Sequence, residues 1–483
     1  MRHARGRIDS VVVVGAGLGG LRAALQLAAS GRAVTVVERT DRPGGLARGH
    51  AFGGYRFDSG PAVLTLPELI DDAFATVGES SPLSLVRLDP AYEARFADGS
   101  TIRVHTDTDA MGAEIAATCA PVNVDGHRRL VARLRELYEW EMPAFIGRNL
   151  DSPADLSVRA ALRVVKLGGL RRWSALVASF LQDERLRRIF SFQSLYAGVA
   201  PHRALGIYAV IAYMDCVAGV FYPRGGMAAL GTALAASAER HGVTFRYGTA
   251  VTGFTTGAGG VDGVVTGDGD RIAADAVVWN GDPARAAALL RRRPRRCRYA
   301  PSCVLWLTGT PRSPVTAHHT ISFGAAWRRT FDEIIDAGRP MSDPSLLVSA
   351  PSRTDSGLSP SGRHTHYVLF PAPNLAHPAR WLDGYRESMH RTLAARGLGD
   401  CVADADVQLL VTPRDWAAAG EPFGTPFGPD HSWSQTGPLR TPTQDRGVPN
   451  LLYCGAAVQP GVGVPTVLLS GRLAAERITG VPR

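Results

Sequence analysis

Two glycine-rich turns, one near each end of the chain, set bare backbone where a phosphate or a ring system can lie against it. The first is Gly15-Ala16-Gly17-Leu18-Gly19-Gly20, entered directly from Val11-Val12-Val13-Val14. Four valines suit a buried parallel strand. Gly15 permits a tight turn, Gly17 lets backbone approach a phosphate, and Gly20 lets the next helix pack on the strand. A second strand, Val34 to Val37, ends at Glu38, whose carboxylate can accept both hydroxyls of an adenosine ribose. A lone GxGxxG is weak. This one follows a strand, opens a helix and meets an acid at the end of the next strand, which points to dinucleotide binding. A ligand-free βαβ turn is the plainer alternative.

Near the other end, the apolar run Leu451 to Cys454 leads into Gly455, then Pro460-Gly461-Val462-Gly463-Val464-Pro465 and an apolar helix pattern. Pro465 suits the first turn of a helix. The N–H groups of that helix, expected to begin at Thr466, and its positive dipole end can face a redox-active ring that gains negative charge.

These turns need a frame. Leu21, Ala24, Leu25 and Ala28 continue at helical spacing, and Gly31 fits the helix stop. Tyr92 to Phe96 and Thr101 to Val104 flank Asp98-Gly99, a hairpin signal. Leu130, Leu134 and Leu137 share one helix face. Leu162 to Phe190 reads as helical, its apolar residues interleaved with Arg163, Arg171, Arg172, Arg185, Arg187 and Arg188. Such a stripe describes core packing or a helix lying on a membrane. Leu205 to Tyr222 is apolar except for Asp215. A span needs about 20 apolar residues, and a central Asp costs roughly 2.5 to 3.5 kcal/mol. The stretch therefore reads as a buried helix followed by a strand. Pro223 to Met227 opens another helix ending near His241-Gly242. Val243 to Tyr247 and Ala250 to Phe254 read as strands, and Val261 to Thr266 with Arg271 to Asn280 as a hairpin. Leu346 to Ala350 and His366 to Phe370 read as strands of a further sheet.

At 483 residues and 45% hydrophobic composition, the chain is long enough for two or three domains with sizeable cores. Its six cysteines are scattered with no CxxC pair, which argues for a reducing cytoplasm and against a disulfide framework or zinc site. Val11 to Val14 is too short for a signal peptide core, so no export signal is expected. The net charge of +9 is almost wholly arginine, since Lys166 is the one lysine. Six arginines between Arg291 and Arg298 read as a solvated helix end or as an attraction to anionic lipid. No nucleic-acid motif accompanies the charge.

Downstream of Glu38, Arg39-Thr40-Asp41-Arg42-Pro43-Gly44-Gly45-Leu46-Ala47-Arg48 resembles the second signature of the flavin-binding amine-oxidase superfamily, where the chain turns back along the pyrophosphate. Further along, the sequence is similar to the bacterial phytoene desaturase family, most of all to actinobacterial members, over nearly its whole length. The residues that carry this are Asp58-Ser59-Gly60-Pro61, Tyr196-Ala197-Gly198, Ile207 to Tyr213, Phe221 to Gly226, Pro351 to Asp355, Phe370 to Asn374 and Gly455 to Pro465. Many members carry Thr-His where this chain has Val458-Gln459, and Ala where it has Ser59.

The resemblance implies non-covalent FAD, held by Gly15, Ala16, Gly17, Gly20, Glu38, Arg39, Gly45, Leu46, Arg48, Gly60, Pro61, Val251, Gly455, Gly463 and Val464. It implies an α/β fold: a Rossmann-type FAD-binding domain with an inserted α+β substrate domain and a helical segment associating with the inner face of the cell membrane. FAD-binding parts are expected at 1–79, 216–285 and 413–483, and substrate parts at 80–215 and 286–412. The implied reaction is desaturation of phytoene or a closely related carotenoid, by hydride transfer to flavin N5 and proton loss. The implied partners are a long apolar isoprenoid, the membrane surface, and oxygen or a quinone as electron acceptor.

Such a substrate has no polar handle, so the chemistry rests on positioning. That agrees with a sequence lacking an obvious Ser-His-Asp, metal or paired-carboxylate constellation. Asp58, Asp215 and Asp282 are the carboxylates nearest the flavin-associated motifs, and each reads better as structural than as a base. The alternatives on this scaffold are a carotenoid isomerase or later-step desaturase, an amine oxidase, and a non-enzymatic protein that escorts prenylated GTPases. Lys166 falls outside the flavin motifs, which disfavours an oxidase using a lysine at the flavin.

Overall fold

Ser10–Val14 forms the middle strand of a five-stranded parallel sheet in a computed structural model that describes residues 2–4, 6–156, 158–257 and 259–480. The order across the sheet is Leu451–Tyr453, Ala276–Trp279, Ser10–Val14, Ala33–Val37 and Thr244–Arg246. Val12 sits opposite Val277 on one side and Thr35 on the other. Val11, Val12 and Val13 are buried, on both faces, as a central parallel strand requires. The helix Leu18–Ala29 follows the first strand, and Gly31 takes φ +77° just beyond it. The helix Val464–Thr479 closes the described chain and packs on that first helix. Four strands of this sheet, ending at Val14, Val37, Trp279 and Tyr453, lead to Gly15, Glu38, Asn280 and Gly455 on one edge. In an open α/β sheet this carboxyl edge is where ligands bind.

A second, seven-stranded sheet takes strands from elsewhere in the chain. Its order is Val407–Val411, Ser302–Thr310, His364–Ala372, Leu346–Ser349, His319–Ser322, Tyr92–Arg95 and Thr101–Val104. Val304, Trp306, Val348, Val368 and Phe370 bury one face of it against Met389 and Leu393.

Three expectations are corrected. The strand expected over Arg271 to Asn280 is two strands: Arg271–Ala273 pairs antiparallel with Gly260–Thr266, and Ala276–Trp279 joins the parallel sheet. The chain changes sheet at Asp275, whose carboxylate accepts the N–H groups of Asp9 and Ser10 at 2.9 and 2.8 Å. The helical stretch Leu162 to Phe190 is three short helices, Val158–Lys166, Trp173–Ala178 and Glu184–Ile189. From Trp173 onward its apolar residues face inward, with Leu176, Val177, Leu186 and Phe190 fully covered. An outward apolar face survives only before Trp173. Finally, the run after Leu289 is irregular chain rather than a helix end, with Arg292 and Arg298 paired to Asp445 and Asp430.

Leu205 to Tyr222 is a buried, broken helix leading into the strand Phe221–Pro223. Among the described residues, no helix is long and apolar enough to cross a membrane.

Candidate functional site

The first turn is shaped by what it leaves out. Gly15 has φ +100° and its N–H reaches the Val37 carbonyl at 2.8 Å. A Cβ on Gly17 would stand 2.7 Å from Asn280 Nδ2, and one on Gly20 would overlap the Gly15 carbonyl oxygen. The helix that follows has neither a capping side chain nor an acid in its first turn. Its leading N–H groups have no intrahelical acceptor, so they form a ready seat for an anion. Glu38 is buried beside them. One carboxylate oxygen accepts the Ala16 N–H at 2.7 Å; the other accepts the N–H and O–H of Thr40 at 2.9 and 2.8 Å. The carboxylate thus clips the turn and keeps lone pairs for a further donor.

The paired-glycine segment lies directly on this turn. The Gly44 N–H bonds the Ala16 carbonyl at 2.8 Å, and Gly17 and Gly44 form a parallel bridge. A Cβ on Gly45 would approach Gly17 Cα to 2.9 Å. Gly60 in turn presses on the Leu46 carbonyl, and the Arg48 carbonyl accepts the N–H and O–H of Ser59 at 3.0 and 2.9 Å. Tyr367 donates to the Gly60 carbonyl at 2.8 Å, bringing the large sheet to the same place, and Pro61 follows half-buried. The Arg48 side chain is half-buried with no ion pair among the described residues. The exposed guanidinium of Arg39 donates to the Ala419 carbonyl. Val251 is buried with Val12, Val37 and Val458, two residues beyond Thr249, whose N–H bonds the Glu38 carbonyl at 2.8 Å.

The second turn abuts the first. Gly455 donates its N–H to Ser470 Oγ at 2.8 Å. A Cβ on Gly19 would lie 3.1 Å from the Val467 carbonyl and 3.2 Å from the Gly455 nitrogen. The last helix begins at Val464 rather than Thr466, with Gly463 as its N-cap at φ +118°, no capping side chain and no acid in its first turn. Two uncapped helix N-termini therefore open on one edge of the sheet. Asn280 joins them: its amide donates to the Gly15 carbonyl at 3.2 Å, and its oxygen would be 3.2 Å from a Cβ on Gly455. Its place at the end of Val277-Val278-Trp279 was the available signal.

The three carboxylates have partners. Asp58 accepts Tyr222 O–H and Met227 N–H, both at 2.7 Å, and burial raises its pKa to about 6. Asp215 accepts Tyr92 O–H at 3.0 Å, and burial raises it to about 7. Asp282 caps a helix through Ala284 N–H and accepts Tyr299 O–H, both at 2.7 Å. Two further buried groups have polar atoms with no hydrogen-bond partner among the described residues. His431 packs its imidazole on Gly461, so that a Cβ there would overlap the ring, and its Nε2 is buried with no partner. Glu141 is buried with neither carboxyl oxygen bonded, and its pKa is pushed well up by desolvation. Beside them, Leu66, Ile146, Val210, Met214 and Leu469 form an apolar cluster that joins the segment after Pro61 to the last helix.

Residues 18–479 match the family model described as flavin containing amine oxidoreductase. The chain is 51% identical over 488 residues to a protein of Streptomyces griseus named phytoene dehydrogenase, covering 99% of this chain and 96% of that one. It is 36% identical over 484 residues to a zeta-carotene-forming phytoene desaturase of Myxococcus xanthus, covering 97% and 93%. The fold is that of a putrescine oxidase solved with putrescine bound, with a TM-score of 0.61, 15% identity, and 98% and 99% of the two chains covered.

Proposed function

This chain belongs to the flavin-containing amine oxidoreductases and, within them, to the phytoene desaturases, and we propose on that premise that it uses FAD to desaturate phytoene or a closely related carotenoid. The observation that carries the cofactor reading is the meeting of the two turns on one sheet edge, with Asn280 between Gly15 and Gly455 and an uncapped helix following each turn. One seats a pyrophosphate, and the other faces a ring that becomes negative on reduction. The close approach of Gly17, Gly45 and Gly60 to neighbouring backbone supports a dinucleotide lying across bare main chain.

When bound, the flavin supplies the hydride acceptor. The chain's own residues do the rest. Glu38 fixes the turn at Ala16 and offers free lone pairs to the ribose. The first helix holds phosphate. The segment from Gly44 to Arg48 lines the route between the two helix ends, and Gly463 with Val464 brings backbone to the ring. The apolar cluster of Leu66, Ile146, Val210, Met214 and Leu469 excludes water and offers a polyene no competing polar contact. Orientation against the acceptor is then the main source of rate. We assign the FAD-binding parts to 1–79, 216–285 and 413–483, and the substrate parts to 80–215 and 286–412. The parallel sheet takes its strands from the first set and the seven-stranded sheet from the second, which supports the division.

The finer reading of location is a peripheral one. Val158, Leu162 and Val165 recur at helical spacing and are 76%, 65% and 57% exposed, with Leu170 beyond them. Arg159, Lys166, Arg171 and Arg172 surround this face and are exposed. An amphipathic helix of this kind suits an anionic membrane surface, from which an apolar carotenoid is drawn. The exposure of Lys166 also leaves no lysine for an amine-oxidase-like site. Oxygen or a quinone is the electron acceptor in this reading.

Expression in a bacterium that accumulates phytoene tests the reaction. Coloured polyenes with added double bonds are expected. Conversion between geometric isomers alone would support the isomerase reading, and purified protein without flavin absorbance would overturn both.

A further inference from the structure

Arg440 is fully buried, and all five of its N–H groups are spent on main-chain carbonyls. Nε donates to Val458 at 3.0 Å, Nη1 to Asp430 and Gln435 at 3.2 Å each, and Nη2 to Pro429 at 3.2 Å and Ala456 at 2.6 Å. No carboxylate pairs with it among the described residues. The nearby carboxylate of Asp430 is already engaged: Arg298 Nε holds one oxygen at 2.6 Å, and the Ser432 N–H and Gln435 Nε2 hold the other at 3.0 and 2.8 Å. His431 next to it is kept neutral by burial and by Arg440 itself. The Asp430 carboxylate lies close enough to offset part of the Arg440 charge, but it is shared with the half-exposed Arg298, so Arg440 keeps a positive charge only partly compensated.

Keeping a guanidinium out of water without a counterion costs several kcal/mol. Carbonyl dipoles recover part of that, and an anion would recover more. Two of the five carbonyls, Ala456 and Val458, belong to the turn between Gly455 and the start of the last helix. The charge therefore lies directly behind the turn whose front carries an uncapped helix N-terminus. Both sources of positive potential act on the same place.

We infer that Arg440 supplies a buried positive charge that stabilises the reduced, anionic form of the flavin through the Gly455–Gly463 turn. The inference rests on the reading above that the flavin ring faces this turn. A loop clip would need only the five hydrogen bonds; the electrostatic role needs the charge.

The test uses purified holoenzyme and sulfite, which adds to oxidised flavin and leaves negative charge on its pyrimidine ring. Arg440→Lys keeps the charge and loses most of the bonds; Arg440→Gln loses both. Sulfite Kd is expected within about threefold of wild type for the first, and raised about tenfold or more for the second, as a charge acting through a low-dielectric interior requires. Arg298→Gln changes a half-exposed residue and leaves every Arg440 bond in place, but frees Asp430 to compensate Arg440. It too is expected to raise the sulfite Kd, and it decides the matter if Arg440→Gln does not fold. Unchanged sulfite affinity in Arg298→Gln, or equal losses in the Lys and Gln variants of Arg440, overturns the inference. Wild-type protein that carries no flavin would instead refute the cofactor reading beneath it.

Discussion

Gly19 in the first helix and Gly471 in the last meet backbone against backbone: a Cβ on Gly471 would overlap the Gly19 carbonyl oxygen and stand 3.0 Å from Arg22 Cβ. This contact brings the two ends of the chain together, and with them the two turns.

Gly471→Val should therefore force the helices apart. Overpacking of this kind costs about 1 to 3 kcal/mol. The variant is expected to melt at lower temperature and to lose flavin more readily on dilution. A melting curve and FAD retention matching wild type would show that the helices can slide without cost to the site.

Replacing Glu38 by Ala removes charge-assisted hydrogen bonds worth about 1.5 to 3 kcal/mol. FAD affinity should fall roughly 10- to 200-fold. Because Glu38 also holds Ala16 and Thr40, the variant without cofactor should be less stable too. Titration of the apoprotein with FAD reads the first effect. Undiminished affinity would mean that the carboxylate serves only to clip the turn.

Gly463 adopts φ +118°, and a Cβ there would lie 3.2 Å from Thr466 Oγ1. A β-branched side chain is strained in that conformation and obstructs the front of the last helix. Gly463→Val should lose phytoene conversion more severely than it loses FAD, since the adenosine end is held elsewhere. A folded, FAD-bound variant that converts phytoene at the wild-type rate would place the reacting ring away from this turn.

Asp215 has its pKa raised to about 7 by burial. A carboxyl whose folded pKa lies above its unfolded value of about 4 stabilises the fold below about pH 4, and that contribution is lost as pH rises through 7. Asp215→Asn keeps an acceptor for Tyr92 and removes this loss. Relative to wild type, the variant should gain thermal stability at pH 8, and the gain should vanish near pH 4. An offset that does not change with pH would show that Asp215 does not titrate in this range.

The outward face of Val158, Leu162 and Val165 should anchor the protein to vesicles. Leu162→Ser with Val165→Ser removes two apolar contacts, each worth about 1.5 to 3 kcal/mol when buried. Co-sedimentation with anionic liposomes should drop severalfold, and wild-type binding should weaken with added salt. Equal binding to neutral and anionic vesicles at every salt concentration would count against the electrostatic part.

By itself, the sequence determined the local grammar of this protein. Val11 to Gly20 specifies a strand, a turn and a helix start, because residues of these types leave the backbone few other choices. Pro465 and Gly463 mark a helix beginning with equal economy, to within two residues. The resemblance carried by Arg39 to Arg48 and Gly455 to Pro465 identified the family. Tertiary structure alone decided which distant groups meet. Asn280 looked like the end of an ordinary strand, yet it bridges the two turns because the sheet places its strand between those of Val14 and Tyr453. Arg39 sits inside a binding motif, and its guanidinium bonds the Ala419 carbonyl 380 residues away in the chain. The arginine-rich stretch after Leu162 carries one pattern throughout, but from Trp173 onward the core claims its apolar side. Arg440 is one arginine among many in the sequence. That no carboxylate among the described residues forms an ion pair with it follows from where Asp430 and Arg298 come to rest, and chain order does not encode that.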